Sequence, residues 1–317
     1  RQWEAPRVVS HADGSHSTFA RVASDGRGRV VIAWRRTDGV NDSLWWTQGW
    51  SSTSHRWSPP SRADSVHAPS GTIGSLAVGL SSKDRRIIMA WSARFSAAST
   101  VPAIWARAFG LSLPPLQDQA RIISNTNGDP LVEPSVAVDG DGTGWVAWRQ
   151  YGPGPTAYPT FSNVQVARFD VFGWQSAIWV SDLYAQARHV RIASNRAAAG
   201  AARTWLTWVE PQRGGAVAAV QATSSGVASS ATIGQSAVDG FHKSSLVVDD
   251  AGNVTVSWGQ QSDTAMLMAA RYTARGDNWS LPVNLDLRHQ PGQAYGASLS
   301  VNVQGDLFAT WLSIDRD

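Results

Sequence analysis

The most informative stretch of this chain is residues 139–148, Asp-Gly-Asp-Gly-Thr-Gly-Trp-Val-Ala-Trp. The first half is a turn sequence, because Asp followed by Gly favours the positive-φ positions of a tight β-hairpin. The second half is a short apolar run that closes on a small residue and Trp, a composition typical of a strand. The stretch therefore predicts a hairpin turn followed by a strand that ends at Trp148.

The same strand ending recurs six times along the 317 residues. The copies end at Trp34, Trp91, Trp148, Trp208, Trp258 and Trp311, which are 57, 57, 60, 50 and 53 positions apart. The turn repeats nine residues before the Trp in four copies, at Asp25, Asp139, Asp249 and Asn302, each with Gly three residues later. Self-similarity at a nearly fixed period is the signature of an architecture built from repeated supersecondary units.

A second recurring sequence, Trp-x-x-Pro or Trp-x-x-Ala, marks the outermost strand of a repeat at Trp3, Trp57, Trp174 and Trp279. We therefore expect an all-β chain with one domain over 1–317, a six-bladed β-propeller with four-stranded antiparallel blades. The blades are predicted at about 17–65, 72–124, 131–182, 188–236, 241–286 and 295–317. The N-terminal strand, 2–10, is expected to join the last blade and close the ring, which removes exposed sheet edges.

The Asp-x-x-Gly turn, the Trp that follows it and the Trp-x-x-Pro strand together resemble the β-propeller repeats of bacterial extracellular proteins. The resemblance covers nearly the whole chain and implies a secreted or cell-surface protein, although a fold does not fix a function. Six-bladed propellers also include sialidases and fucose-binding lectins. The sialidase Ser-x-Asp-x-Gly-x-x-Trp box and Phe-Arg-Ile-Pro opening, and the lectin Cys-Trp-Asp-Gly pattern, are not found in this sequence, so neither family is expected as a close relative.

Composition excludes several classes of function. The chain contains no Cys, which excludes disulfide scaffolds, thiol catalysis and Cys-ligated metal centres. All 27 basic residues except Lys83 and Lys243 are Arg, and they are scattered along the chain, so nucleic-acid binding is not expected. No apolar run is long enough to cross a bilayer, so membrane insertion is not expected either.

We expect no cofactor and no metal. Asp139-Gly-Asp141 resembles the start of a calcium loop, but the same Asp and Gly recur in four repeats as a hairpin turn, and the Glu that completes such a loop is missing. Six of the seven His residues fall in or beside the loops between blades, where local hydrogen bonding is the commoner role of His.

Antiparallel alternation places the loops between blades and the loops after the Trp strands at the same end of the ring, where we expect a ligand. Arg21 and Arg191 occupy a position that is Ser75, Ser135, Ser245 and Ser298 in the other blades. Because the first and fourth of six blades face each other, two opposed guanidiniums are predicted to clamp a carboxylate or sulfate. The alternative is that each Arg pairs with a neighbouring Asp or carbonyl.

The predicted ligand-binding residues supply hydrogen bonds and aromatic faces to a glycan or a protein partner. They are Arg21, Arg36, Arg149, Gln150, Tyr151, Tyr158, His189, Arg191, Glu210, His242 and Gln260. Tyr151 and Tyr158 belong to a Pro-rich loop over 151–162, whose aromatic faces are suited to stacking on a sugar ring or a peptide.

Two alternatives to ligand binding stay open, a glycoside hydrolase and a structural spacer. In a hydrolase, Glu133 and Glu210 would form the acid/base pair. In a sialidase-like version, Asp13 would be the acid, Tyr295 with Glu210 the nucleophilic pair, and Arg21, Arg149 and Arg191 would hold an anionic sugar. No motif ties these residues together, so the sequence favours ligand binding over catalysis. It does not indicate an oligomeric state.

Overall fold

The structure is a computed structural model that describes residues 8–10, 14–50, 57–64, 68–69, 73–94, 102–110, 119–124, 131–151, 162–182, 185–197, 202–223, 226–235, 244–261, 265–285 and 292–315. These residues form β-strands and one short 3-10 turn, Pro211–Arg213. Within them, no helix is long and apolar enough to cross a membrane. The chain is all-β, as the sequence predicted.

The described strands assemble into five sheets, and the first four follow the chain in order. Sheet 1 contains β1 (His16–Ser24), β2 (Arg29–Thr37), β3 (Asn41–Trp50), β4 (Ser61–Arg62) and β5 (Ala68–Pro69). Sheet 2 contains β6 (Ile73–Leu80), β7 (Ile87–Arg94), β8 (Pro102–Phe109) and β9 (Arg121–Ile122). Sheet 3 contains β10 (Leu131–Val138), β11 (Gly144–Tyr151), β12 (Ser162–Asp170), β13 (Gly173–Trp174) and β14 (Ile178–Trp179).

Sheets 4 and 5 cover the C-terminal part of the chain. Sheet 4 contains β15 (Arg188–Ser194), β16 (Thr204–Glu210), β17 (Ala216–Thr223), β18 (Gly226–Val227) and β19 (Ala231–Gln235). Sheet 5 contains β20 (Ser245–Val248), β21 (Val254–Gln261), β22 (Ala265–Thr273), β23 (Asn278–Trp279), β24 (Val283–Asn284), β25 (Gly292–Val301) and β26 (Leu307–Asp315). The hairpin β25–β26 joins β22 through one parallel pair, Ala265 with Gln293, so sheet 5 holds two of the sequence repeats.

The hairpin turns predicted from the repeat are present. Asp139 Oδ1 accepts hydrogen bonds from the backbone N–H groups of Asp141 and Thr143, both at 3.0 Å. Asp249 Oδ1 accepts one from Asn253 at 2.8 Å in the same way. The Gly three residues after each Asp has a positive φ, 83° at Gly142 and 82° at Gly252, which a residue with a side chain rarely adopts. These bonds explain why Asp and Gly recur at this spacing.

Neighbouring turns contact one another and so lie at one end of the molecule. Gly140 N–H donates to the Asn195 carbonyl at 3.1 Å, and Arg86 donates to the Gly142 carbonyl at 2.6 Å. Beside these turns, the ends of β1, β6, β10, β15, β20 and β25 line one cavity of about 670 Å³. We call this end of the strands the turn end. The opposite end, where β1 and β10 begin and β2 and β11 finish, is the loop end.

Burial of the repeated Trp differs between the first five copies and the last. Trp148, Trp208 and Trp258 are fully buried between sheets, and Trp34 and Trp91 are 3% and 4% exposed. Trp311, on β26, is 36% exposed, and Phe308 on the same strand is 57% exposed. The strand ending is therefore common to all six copies, but its Trp is buried in only five of them.

The described residues do not show the predicted closure of six blades into a ring. The described residues form open sheets, and the last two repeats share one of them. Most of the expected N-terminal closing strand, 1–7, lies outside the described residues, and residues 8–10 are not in a strand.

Candidate functional site

A bulge in the inner strand of five repeats shapes the loop end. The pairing register shifts between Thr18 and Arg21, Ile73 and Leu76, Val132 and Ser135, Arg188 and Arg191, and Tyr295 and Ser298. Bulges re-aim side chains and are common beside functional sites. In sheet 2 the residue opposite Ala90, which precedes the repeated Trp as Ala33 does in sheet 1, is Ala77, so the predicted equivalence of Ser75 with Arg21 was wrong by two positions.

The bulge holds three residues in the left-handed backbone region without Gly. Phe19, Glu133 and His189 have φ values of 54°, 60° and 56°. Such a backbone costs a residue with a side chain about 1–2 kcal/mol, and strain of this kind persists at binding sites because the surrounding structure holds it. Glu133 and His189 were both predicted site residues.

Arg21, Arg191 and Glu133 lie close enough to act on one another electrostatically. Burial lowers the pKa of Arg191 from its usual value, the Glu133 carboxylate opposes that shift, and the Arg21 guanidinium adds to it. Arg191 is half-buried and donates to the Val190 carbonyl at 2.8 Å, whereas Arg21 is exposed and donates to the Ala20 carbonyl at 3.0 Å. Each Arg therefore pairs with a neighbouring carbonyl, as in the alternative left open by the sequence, and the charge of Arg21 also acts on Arg191.

Glu133 is the acid whose charge acts on Arg191, and one of its two carboxylate oxygens has no hydrogen-bond partner among the described residues. Its Oε2 atom is buried and has no hydrogen-bond partner among the described residues. A buried acceptor without a partner is costly. The guanidiniums of Arg21 and Arg191 and the carboxylate of Glu133 together carry a net positive charge. This charge favours binding of an anionic group.

Ser135 and Ser245 show what the inner-strand position does when it is not Arg. Ser135 Oγ accepts a hydrogen bond from the Ile192 N–H at 3.1 Å, and Ser245 Oγ accepts one from the Leu299 N–H at 3.0 Å. In both cases the hydroxyl ties one inner strand to the next. Arg21 and Arg191 replace this small linking group with a long cation, which the fold itself does not require.

Glu210 is held by two neighbours at the end of β16. Its Oε1 atom accepts a hydrogen bond from Trp208 Nε1 at 2.8 Å, and its Oε2 atom pairs with Arg213 at 3.1 Å. Arg213 in turn pairs with Asp182 at 2.8 Å. With the Glu210 side chain 4% exposed and both oxygens engaged, its observed contacts are structural.

Other predicted residues on the loop end also have intramolecular contacts. The Arg149 guanidinium lies over the Tyr151 ring, 4.6 Å from its centre, and the Arg36 guanidinium lies 5.1 Å from the centre of a Trp45 ring. Arg36 Nε also donates to Ser15 Oγ at 2.6 Å. Cation–π contacts of this type fix the orientation of a guanidinium.

The remaining predicted residues are distributed as follows. Gln260 is half-buried on β21, and the His189 carbonyl accepts a hydrogen bond from Ser244 Oγ at 3.1 Å. Tyr295 pairs with Leu312 in the β25–β26 hairpin. Asp13, Tyr158 and His242 lie outside the described residues. Among the residues that the structure describes, no three His, Asp or Glu side chains are grouped to hold a metal.

Sequence reasoning missed Asn163 and Gln165, which lie on β12 beside the predicted Gln150. Both side chains are at most 2% exposed, and both contain polar atoms without a hydrogen-bond partner. A signal was present, because an amide side chain at every second position of a strand places them on one face. Only the packing shows that this face is buried.

Comparison with solved structures identifies the fold. No protein-family model and no curated protein matches the chain. A leech intramolecular trans-sialidase is similar with a TM-score of 0.57 and 8% identity, over 99% of this chain and 68% of that one. A Hadza microbial sialidase gives 0.55 and 11%, over 94% and 65%, and a Ruminococcus gnavus intramolecular trans-sialidase gives 0.54 and 10%, over 95% and 90%.

The chain therefore has a sialidase-like β-propeller fold. It spans 65% of the length of the Hadza sialidase. At these identities the likeness concerns the fold alone.

Proposed function

We propose that this protein is a secreted or cell-surface propeller that binds a glycan at its loop end, with an acidic sugar held by Arg21 and Arg191. The observation that carries the proposal is the cluster of two guanidiniums and one carboxylate in which burial lowers the pKa of Arg191. An anion placed between the two cations would offset the penalty that burial imposes on Arg191. Arg binds carboxylates with paired hydrogen bonds, which gives this contact geometric specificity.

The neighbours and the site both support the proposed class of ligand. Several structural neighbours are named as sialidases, and a carbohydrate ligand is consistent with that fold. At the same end of the strands, the stacked pair of Tyr151 and Arg149 offers a planar surface, and Gln260 offers an amide. Aromatic faces and amides recognise the ring and hydroxyls of a sugar. We further propose that six blades close into a ring, which places the first and fourth inner strands opposite each other.

Titration calorimetry with a matched pair of oligosaccharides tests this function. One ligand ends in a carboxylated sugar, and the other is the same oligosaccharide with a neutral terminal sugar. The unmodified protein is expected to bind the acidic ligand more tightly, and Arg191→Met or Arg21→Met is expected to weaken that binding at least about tenfold, since a hydrogen bond to a charged group is worth about 1.5–3 kcal/mol.

The control for lost charge is Arg275→Met, which removes an exposed Arg in the loop after β22, at the turn end. It is expected to leave the affinity unchanged. Equal binding of the acidic and neutral ligands, or equal weakening by Arg275→Met, would contradict the proposal.

Hydrolysis of a glycoside is the second candidate function, and Glu133 is the observation that favours it. A buried carboxylate oxygen without a hydrogen-bond partner, close to two Arg residues, is suited to an acid/base role. This alternative assigns Glu133 and Glu210 as the carboxyl pair, with Asp13 and Tyr295 in a sialidase-like version. Turnover of fluorogenic sialosides that Glu133→Gln abolishes would establish it, and binding without turnover would leave the lectin-like function.

A further inference from the structure

The inner-strand bulge takes the same form in sheets 1, 3 and 4, where two residues lie opposite one, the repeated Trp. In sheet 1 the two residues are Phe19 and Ala20, opposite Trp34. The first residue of the pair is Glu133 in sheet 3 and His189 in sheet 4. All three first residues have a positive φ, a conformation that favours Gly at such a position. Three chemically different side chains therefore occupy a place where the backbone alone would favour Gly.

Phe19 differs from the other two residues in its exposure. It is 44% exposed, whereas Glu133 and His189 are half-buried. Phe19 therefore gains little free energy from burial of its ring, while its backbone keeps a conformation that is unfavourable for a residue with a Cβ. Folding does not account for a large apolar residue that is both strained and exposed. Strain of this kind is common where a ligand binds.

The ring of Phe19 is restrained by a cation that is itself fixed. The Arg35 guanidinium lies over the ring, 5.6 Å from its centre. Arg35 also donates to the Ile73 carbonyl at 3.0 Å and pairs with the buried carboxylate of Asp42 at 3.3 Å. Because Arg35 has these two partners, it does not depend on the ring, but its contact fixes where the ring lies. A ring that is already oriented loses little conformational entropy when it binds a ligand.

Arg21 contacts the bulge that presents Phe19. Its Nη1 atom donates to the Ala20 carbonyl at 3.0 Å, and its side chain is exposed. Sheet 4 repeats this contact, since Arg191 donates to the Val190 carbonyl at 2.8 Å. In sheet 1, therefore, one bulge holds an exposed aromatic ring and an exposed guanidinium. A ligand that carries its carboxylate directly on a ring could contact both.

We infer that Phe19 determines the specificity of the loop-end site, because its ring packs against the C–H face of a cyclic acidic sugar whose carboxylate Arg21 binds. The inference rests on the proposed function and adds the class of acid, a carboxylated pyranose rather than an open-chain acid. A pyranose presents C–H groups on one face, and an aromatic ring covers such a face at low entropic cost. An open-chain acid can pair with the guanidinium, but it offers no rigid face to the ring.

Two acids provide the test, an oligosaccharide that ends in a carboxylated pyranose and gluconate, a sugar acid without a ring. Calorimetry measures the affinity for the oligosaccharide, and competition measures that for gluconate. Phe19→Leu keeps a Cβ and an apolar side chain at the same backbone position, so it removes only the aromatic face. It is expected to weaken binding of the cyclic acid at least about fivefold and to leave that of gluconate unchanged. Phe19→Tyr should retain the affinity for the cyclic acid.

A second exposed phenylalanine supplies the matched control. Phe172, in the turn after β12 at the turn end, is 87% exposed, and Phe172→Leu is expected to change neither affinity. Fluorine NMR of protein labelled with 4-fluorophenylalanine tests the contact itself. The Phe19 resonance, assigned by its absence from Phe19→Leu, is expected to shift when the carboxylated oligosaccharide is added, and the Phe172 resonance is not.

Three results would overturn the inference while the proposed function stands, since Arg191→Met would still weaken binding of the oligosaccharide. Phe19→Leu could leave the affinity for the cyclic acid unchanged, it could weaken both acids equally, or it could lower the urea midpoint together with the affinity, which would show a structural role. Equal binding of the carboxylated and the neutral oligosaccharide would instead overturn both the proposed function and the role of Phe19.

Discussion

The turn end and the loop end of the same strands are built on opposite principles. At the turn end, Asp139 and Asp249 accept backbone N–H groups, and Gly142 and Gly252 occupy positive-φ positions of their turns. At the loop end, Glu133 adopts a positive φ without Gly, and the buried amide atoms of Gln165 have no hydrogen-bond partner among the residues that the structure describes. Residues that recur between repeats therefore stabilise the turn end. Residues that vary between repeats lie at the loop end, where we propose that ligands bind.

Gly140→Ala is expected to give the largest effect. A Cβ at Gly140 would overlap the Ala197 carbonyl oxygen, a backbone atom that cannot turn aside, so the turns of sheets 3 and 4 must separate. Overpacking of this kind costs about 3 kcal/mol, to be measured by urea denaturation. The loop-end control is Gly74→Ala, whose Cβ would lie 2.7 Å from Ser92 Oγ, a side-chain atom that can rotate. Equal losses for the two variants would erase the distinction between the ends.

Asp249→Ala is expected to lower the free energy of unfolding by about 1–2 kcal/mol. Its carboxylate accepts from the Asn253 backbone N–H and the Asn253 side-chain amide, both at 2.8 Å, and these bonds fix the turn. Asp38, at the loop end, makes similar bonds to Val40 at 2.9 Å and Asn41 at 2.7 Å but is exposed. Asp38→Ala should therefore shift the urea midpoint less than Asp249→Ala. A larger shift for Asp38→Ala would show that the loop end contributes more to stability than the turn end.

Two variants, Glu133→Gly and Glu133→Ala, test whether the backbone at the loop end is strained. Both remove the carboxylate, so they differ in whether a Cβ must adopt a φ of 60° and in the greater freedom of Gly in the unfolded chain, which offsets part of the strain relief. The Gly variant is expected to be more stable than the Ala variant by about 1 kcal/mol, because Gly adopts this region without steric cost. Chemical denaturation of the two proteins measures the difference, and a more stable Ala variant would show that the backbone is not strained.

The smallest expected effect is a pH dependence at the turn end. Burial raises the pKa of Asp139, against the opposing bonds from Trp145, Thr143 and Asp141. The folded state then binds this proton more tightly than the unfolded state, so the contribution of Asp139 to stability is present below its unfolded pKa and is lost as pH rises through its folded pKa. Relative to the unmodified protein, Asp139→Asn should gain stability as pH rises through that window. A constant difference across the window would contradict the assignment.

Much of the fold could be predicted because its signals are local. Asp or Asn followed by Gly at fixed spacing determines the turns before β11, β21 and β26, and the small-residue–Trp ending marks the strand that follows. What remained beyond the sequence depends on tertiary packing. The bulge in sheet 2 shifts the register at Ser75, and Trp311 keeps the repeat sequence while 36% of it stays exposed.

The candidate site could likewise be predicted from the sequence only in part. Aligning repeats was enough to pair Arg21 with Arg191, since both follow the inner-strand bulge. Alignment could not show that Glu210 is bonded to Trp208 and Arg213, because those contacts depend on side-chain rotamers. Nor could it show that Gln165 is buried on the face of sheet 3 toward sheet 2, because that burial depends on how two different repeats pack together.

The most direct test measures stability and binding on the same two variants, Asp249→Ala and Arg191→Met, in one buffer. We predict that Asp249→Ala lowers the urea midpoint and keeps the affinity for the carboxylated oligosaccharide. Arg191→Met should retain or raise the midpoint and lose at least about tenfold in affinity. If both variants lose stability and affinity together, the separation of a folding end from a binding end is wrong.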